Sequence, residues 1–336
     1  MKRVTIKDVA REAGVSIATI SRVINQTRYV SPDIERRVRA VIEASGYYPD
    51  SVARSMRNNA TSLIGFIVSD ISNLHFMIIA RAIEDSISLR HYNLIVCSTE
   101  NDGIRERDYL KALMSKKIAG LIINTTGKND EYVARISREI PVTLVHRRIR
   151  HGQFCGDMVG FNNRKGAHDL ACHLLAAGHR RIGVINGPRD ISTSQERFEG
   201  WRQAMREAGL AADPALEFFG DFTMSSGREA AELLTKLAPT ALLVMNNAMT
   251  IGVLKYLRSR RLRVPEDVSL VCFGDIDNGE IMYVQPTFVT QNPAVIGAKV
   301  AELMLERLAD KGKLNREVIF ESVLSEGNSV AALAEH

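Results

Sequence analysis

The spacing of apolar residues changes near residue 61, and the two regimes predict different folds. In the first regime they recur at intervals of three and four. Ile6, Val9, Ala10 and Ala13 make one helical face, Ile20, Val23 and Ile24 a second, and Ile34, Val38, Val41 and Ile42 a third. Local signals mark the ends. Thr5-Ile6-Lys7-Asp8 reads as a capping box, Gly14 as a tight turn with Val15 plugging the core, and Ser16 as the cap of the second helix. Ser31-Pro32 reads as N-cap and first-turn proline of the third helix, and Gly46 as its stop. Three short helices around one small core are predicted.

From Ser62 the apolar residues form continuous runs instead. SLIGFIV, YNLIVCS, AGLIIN and PVTLVH read as buried strands, separated by helical stretches at about 76–91, 103–117 and 130–139. A second series follows: RIGVIN, LEFFGD, ALLVMN and VSLVCF, with helices near 164–177, 195–209, 225–238 and 248–260. Apolar strands alternating with amphipathic helices indicate parallel sheets covered on both faces. Two series predict two Rossmann-like lobes, with a helix near 293–311 and a strand near 317–323 crossing back between them. The expected fold is α/β: a three-helix helix-turn-helix head over 1–48, a hinge over 49–60, and a two-lobed body over 61–336. Its N-lobe is expected at about 61–160 and 292–320, and its C-lobe at about 161–291 and 321–336.

Charge sharpens this division. Residues 1–60 contain eleven of the 44 Lys and Arg but only six of the 39 Asp and Glu, leaving 33 of each for the rest. The whole formal charge of +5 therefore falls on the head, as expected of a module that meets phosphate backbones. The exposed face of the second helix is small or polar at its N-terminal end and carries one arginine, a pattern suited to the major groove, where arginine pairs with guanine O6 and N7. Hydrophobic content of 45% is ordinary for a globular chain, no apolar run approaches a membrane span, and the N-terminal residues lack a signal-peptide core. A cytoplasmic protein without a membrane partner is expected. Cys97, Cys155, Cys172 and Cys272 are scattered without metal-binding spacing and read as reduced thiols.

The string D-V-A-x-x-A-G-V-S-x-x-T-I-S-R-V-I-N, followed by G-Y-Y-P-D-S-V-A-R-S-M, resembles the LacI/GalR family of bacterial repressors. The resemblance implies that Ile17, Ala18 and Arg22 meet base edges. It implies phosphate or positioning contacts for Thr5, Ser16, Thr19, Ser21, Asn25 and Tyr47. Residues 50–58, with Ala53, resemble the family's hinge helix, and Met56 stands where a leucine wedge is usual in the minor groove. The body is then periplasmic-binding-protein-like, with an effector cleft between its lobes.

In open parallel sheets ligands bind beyond the C-terminal strand ends. The residues there include 69–76, 187–197, Asp221-Phe222, Asn246-Asn247, Gly274-Asp275 and Gln291. By resemblance Phe76, Arg197, Phe222, Asn247 and Gly274 line the cleft, and His146, Arg147, Asn162, Thr193, Asp275 and Gln291 join them as candidate effector contacts. Several positions depart from sugar-binding relatives. His146 stands where V-D-R is common, Asn162 and Asn247 replace aspartates, and Gly274 replaces the first Asp of G-F-D-D. Fewer carboxylates, with Arg147 and Arg148 beside His146, suggest an anionic effector such as a sugar acid, keto-acid or phosphorylated sugar; a neutral sugar held by amides is the alternative.

No P-loop, nucleophile–base–acid set or metal-ligand spacing emerges, and G-P-R-D at 187–190 lacks G-x-G-x-x-G, so neither an enzyme nor a cofactor is expected. The expected function is a ligand-controlled repressor of a carbohydrate or sugar-acid catabolic operon, binding pseudo-palindromic double-stranded operator DNA as a homodimer. No heptad tail follows the last strand, which speaks for dimer over tetramer. A solute-binding or sugar-metabolising protein with an accessory DNA-binding head is the alternative.

Overall fold

The computed structural model describes residues 4–25, 29–47, 61–150, 152–276, 282–290 and 292–333, which fall into two compact units divided along the chain between residues 61 and 62. Among the described residues the first unit holds three helices: α1 (Ile6–Glu12), α2 (Ile17–Asn25) and α3 (Pro32–Ser45). The local signals explain their ends. Asp8 Oδ2 accepts from the Thr5 amide at 3.0 Å and from the Thr5 hydroxyl at 2.6 Å, and Ser16 Oγ accepts from the Thr19 amide at 3.1 Å. Gly46 closes α3 at φ +59°, left-handed backbone that costs glycine no Cβ clash. Ser31 departs from expectation. Its backbone is extended as an N-cap should be, but its side chain makes no capping bond, leaving Pro32 to set the first turn. Val9, Ala10, Ala13, Ile20, Val23 and Val38 form the core, with Tyr47 packed among them.

In the second unit the described residues form two six-stranded sheets. The first consists of β1 (Leu63–Val68), β2 (Asn93–Ser98), β3 (Gly120–Ile123), β4 (Val142–Val145), β5 (Asp157–Phe161) and β11 (Glu317–Phe320), in the order β11-β5-β4-β3-β1-β2 and parallel throughout. The second consists of β6 (Ile182–Asn186), β7 (Glu217–Phe219), β8 (Ala241–Val244), β9 (Ser269–Phe273), β10 (Thr287–Thr290) and β12 (Val323–Ser325), in the order β12-β10-β9-β8-β6-β7. Only β12 runs antiparallel to its neighbour there.

Helices cover these sheets: α4 (Leu74–Ser88), α5 (Gly103–Ser115), α6 (Asp130–Glu139) and α11 (Pro293–Ala309) the first, and α7 (Asn163–Ala176), α8 (Ser192–Glu207), α9 (Met224–Leu234) and α10 (Asn247–Ser259) the second. The central strands are buried on both faces, the reason they read as unbroken apolar runs.

The single strand expected at 317–323 is two short strands. Glu317–Phe320 pairs with β5 in the first sheet, and Val323–Ser325 pairs with β10 in the second. Between them Glu321 and Ser322 carry the chain from one sheet to the other. At the start of β5 the fully buried Asp157 accepts from Arg307 at 2.9 and 2.8 Å and from Arg316 at 3.0 and 3.1 Å. Burial alone would raise this carboxyl's pKa, but the two guanidinium partners hold it below its ordinary value. The ionic cluster fastens α11 and the entry to β11 onto β5.

Candidate functional site

In the first unit, helix α2 turns Ile20 and Val23 into the core, which leaves Ser16, Ile17, Ala18 and Arg22 exposed on the other side. Ile17 keeps 44% of its surface accessible, an apolar side chain free to meet a partner. Thr19 and Ser21 are half-buried, and the Thr19 hydroxyl lies 2.9 Å from that of Ser16. Thr5 is exposed, with its hydroxyl donating to Asp8. Tyr47 is 9% accessible, and its ring packs in the head's core. Asn25 ends α2, while Ala53 and Met56 lie outside the described residues.

In the second unit the C-terminal strand ends of both sheets enclose a cavity of about 570 Å³, within the range of small-ligand sites. Phe76, His146, Arg147, Thr193, Arg197, Phe222, Asn247 and Gly274 all line it. Two candidates do not. Asn162 caps α7, accepting from the Lys165 amide at 3.1 Å and donating to Glu321. Asp275 is exposed beside the cavity, and its carbonyl accepts from Asn247 at 3.3 Å. Both look like cleft residues in sequence because they follow strands, but neither is among the residues lining the cavity. Gln291 lies outside the described residues.

Backbone strain aims several of these side chains. β4 ends in a three-residue turn in which the Arg147 amide donates to the Val145 carbonyl at 2.8 Å, with His146 at φ +65°. Such backbone is costly for a residue with a side chain and persists where surrounding bonds impose it. Here the His146 amide still donates to Val159 at 2.8 Å. Phe222, at φ +67°, lays its ring over Gly187, where a Cβ would come within 2.1 Å of the ring.

Each sheet contributes one arginine to the cavity. Arg147 is 6% accessible and donates to the Thr125 carbonyl at 3.0 Å and to Asn101 Oδ1 at 2.9 Å. Arg197, on α8, donates through Nε to Asn163 Oδ1 at 2.9 Å and through Nη1 to the Met245 carbonyl, with its guanidinium 3.7 Å from the Phe273 ring centre. Burial lowers Arg147 to about 10 and Arg197 to about 9, so both stay charged at neutral pH. Their bonds go to neutral oxygens, and Asp70 and Glu100 on the cavity rim are otherwise engaged, with Ser72 and with Arg105.

The basic cluster expected at 146–148 divides. Arg147 faces the cavity, whereas Arg148 turns away to pair with Glu196 and Glu317. His146 is no cation, because burial holds its pKa well below the ordinary value and His75, Arg197 and Arg147 reinforce the shift. His75 is a contact that the residue types did not single out, although it stands in the run after β1. Its Nε2 lies 2.9 Å from His146 Nε2, and its pKa is lowered to about 4, first by burial and then by Arg197. Phe161 stacks on His146 with ring centres 4.7 Å apart. It ends a strand missing from the apolar runs, since Asp157 and Gly160 interrupt that pattern.

Across the mouth Asn73 and Asn247 exchange amide hydrogen bonds of 3.1 and 3.3 Å, joining the first sheet's wall to the second's. The Arg148 amide also donates to Ser192 Oγ at 3.1 Å.

Residues 5–50 match the family described as bacterial regulatory proteins, lacI family, and residues 171–330 match a periplasmic binding protein-like domain. The HTH-type transcriptional repressor PurR of Aliivibrio salmonicida (strain LFI1238) is 32% identical over 309 residues, 91% of this chain and 93% of that one. The chain belongs to the LacI family. PurR of Haemophilus influenzae (strain PittEE) is 33% identical over 311 residues, 91% of this chain and 92% of its own. Among solved structures, the lac repressor dimer bound to operator and the anti-inducer ONPF is similar at a TM-score of 0.83 and 25% identity, covering 98% of this chain and 100% of that one. The transcriptional regulator CelR–cellobiose complex is similar at a TM-score of 0.70 and 26% identity, covering 97% and 100%. This LacI-family member is a ligand-responsive, DNA-binding repressor.

Proposed function

We propose that this LacI-family repressor controls a carbohydrate or sugar-acid catabolic operon, and that its effector is an acidic small molecule such as a sugar acid, keto-acid or phosphorylated sugar. The observation that carries the reading is the pair Arg147 and Arg197. They are two cations from opposite walls of one cavity, Arg147 buried and Arg197 half-buried, with N–H groups that go to neutral oxygens. Among the described residues neither makes a direct ion pair, although Glu106 and Asp190 act on Arg147 and Glu196 acts on Arg197 from farther off, and an anion entering between them offsets part of the remaining cost of desolvation. Phe76, Phe222 and Thr193 supply the apolar and hydroxyl contacts. A neutral sugar is the second reading, favoured by the amides of Asn73, Asn101, Asn124 and Asn247 on the wall and by the cellobiose named for one similar structure. Calorimetry against a matched panel of gluconate, glucuronate, sugar phosphates and free sugars separates the two. Tight binding of a free sugar alone defeats the acidic reading.

At the other end, Ile17, Ala18 and Arg22 read base edges, while Thr5, Ser16, Thr19, Ser21 and Asn25 position the head on phosphates. Two copies bind the half-sites of a pseudo-palindromic operator, with Ala53 and Met56 of the hinge at its centre. Effector and operator affinities are linked reciprocally, so an inducer binds the DNA-free form more tightly and a corepressor the DNA-bound form. Arg22→Ala should cost about 1–3 kcal/mol of operator discrimination in a binding assay. Effector affinity should be unchanged, and loss of both together would contradict this division of labour.

A further inference from the structure

The His75–His146 pair is left over when the cavity is assigned to an anion. Two imidazoles meet nitrogen to nitrogen at 2.9 Å, so one ring donates and the other accepts, and the pair carries no charge. His146 is stacked on Phe161, and its Nδ1 is buried with no hydrogen-bond partner. A neutral ring donating through one nitrogen leaves the other as a free proton acceptor. The pair therefore has an open protonation site at a cavity wall.

The surroundings explain why that site stays empty. Arg147, next in the chain to His146, and Arg197 from α8 both act on the pair electrostatically. Among the described residues the other charged groups are Asp70 and Glu100 on the cavity lining, Glu106 and Asp190, which act on Arg147, and Glu196, which acts on Arg197. With both arginines acting on the pair, His146 buried and His75 half-buried, a further positive charge is repelled. The same repulsion disfavours a metal ion, for which the pair would supply only two ligands. An anion placed between the arginines reverses the sign of the local field.

We propose that the His75–His146 pair takes up one proton from solvent when an acidic effector enters the cleft, supplying a third positive charge only while an anion balances it. This rests on the acidic-effector reading. The pair then determines specificity. The cleft meets a neutral ligand with two charges and an anion with three, and a dianion gains more from the third charge than a monoanion does. Binding and proton uptake are linked, so affinity for an anion rises as pH falls. From a value of about 4 for His75 in the empty cleft, a rise of roughly two units on binding gives about fourfold tighter binding at about pH 5.5 than at about pH 7.5.

The test uses the full chain and inorganic sulfate, whose own charge is constant over this range. Histidine-selective isotope labelling, with His75→Asn and His146→Asn to assign the signals, follows the pair from about pH 8 to about pH 5 in chloride and in sulfate at equal ionic strength. In chloride both rings should remain neutral, and in sulfate the pair's apparent pKa should rise by roughly one to two units. Calorimetry in buffers of different ionisation enthalpy should show proton uptake with sulfate, and His146→Asn should abolish that uptake.

Sulfate that binds with the same affinity at every pH, leaving both rings neutral, overturns the proton coupling and leaves the acidic-effector reading standing. Sulfate held no better than chloride overturns both. Proton uptake unaltered in His146→Asn also overturns the assignment. The wild-type titration decides the matter even if a variant folds poorly.

Discussion

The two sheets of the body share one strand order, yet they furnish the cleft by different means. In each, the first strand of its series lies between the second and third, and the C-terminal strand ends form the cavity wall. On the first wall the chemistry comes from a strained turn: His146 and Arg147 leave β4 through left-handed backbone, and neutral imidazoles sit beside one arginine. On the second it comes from a helix face. Thr193 and Arg197, four residues apart on α8, share one side, with Phe222 packed on Gly187 below. A repeated topology thus fixes where a binding residue can sit, while turn strain or helical phase decides which residue it is.

The largest break in this comparison is expected at Arg197. Arg197→Ala should weaken binding of whichever acid in the calorimetric panel binds by roughly 100-fold, about 3 kcal/mol, because a buried charge-assisted contact is lost. Arg147→Ala should weaken it to a similar degree if the walls contribute equally. An effect confined to one arginine would place the acid group against one wall alone.

A glycine pair tests the packing next. Gly187→Ala forces a methyl into the Phe222 ring and should lower unfolding stability by about 1–3 kcal/mol in denaturant titration. At Gly160 on the first wall, a Cβ would come within 2.9 Å of the terminal methyl of Met158, a flexible group that can move aside. Gly160→Ala should therefore cost much less, and equal costs would contradict this account.

Acid sensitivity comes third. His75 titrates near 4 when folded, against an ordinary 6.5, so the unfolded chain binds more protons between these values. The stabilisation from keeping His75 neutral is fully present above about pH 6.5, is lost progressively as pH falls, and is gone below about pH 4. Thermal melting should show this loss, and His75→Asn should flatten it. A flat wild-type profile would contradict the burial of the pair. A small effect is expected at the mouth. Asn247→Ala removes the amide exchange with Asn73 and should change stability by about 1 kcal/mol, read by denaturant titration.

Much of this protein was legible along the chain. The helices of the head, their caps at Thr5 and Ser16, and the central strands follow from spacing and local chemistry, because each depends on neighbours within a few residues. The strand-end rule for parallel sheets marked the segments holding Phe76, Arg197 and Phe222, and the resemblance to the LacI/GalR family singled out these residues and Arg147 within the cleft. The sequence by itself could not determine which residues near those ends turn inward. Asn162 and Asp275 follow strands just as His146 does, but a cap bond holds one and an exposed edge the other. Nor could it separate Arg147 from Arg148, adjacent in sequence and turned to different partners. Charge was decided last and by tertiary structure alone. His146 reads as a basic residue in a basic cluster, yet burial against Phe161 and proximity to His75, Arg147 and Arg197 leave it neutral. Protonation depends on what lies within a few ångströms in space, and most of those neighbours lie far away along the chain.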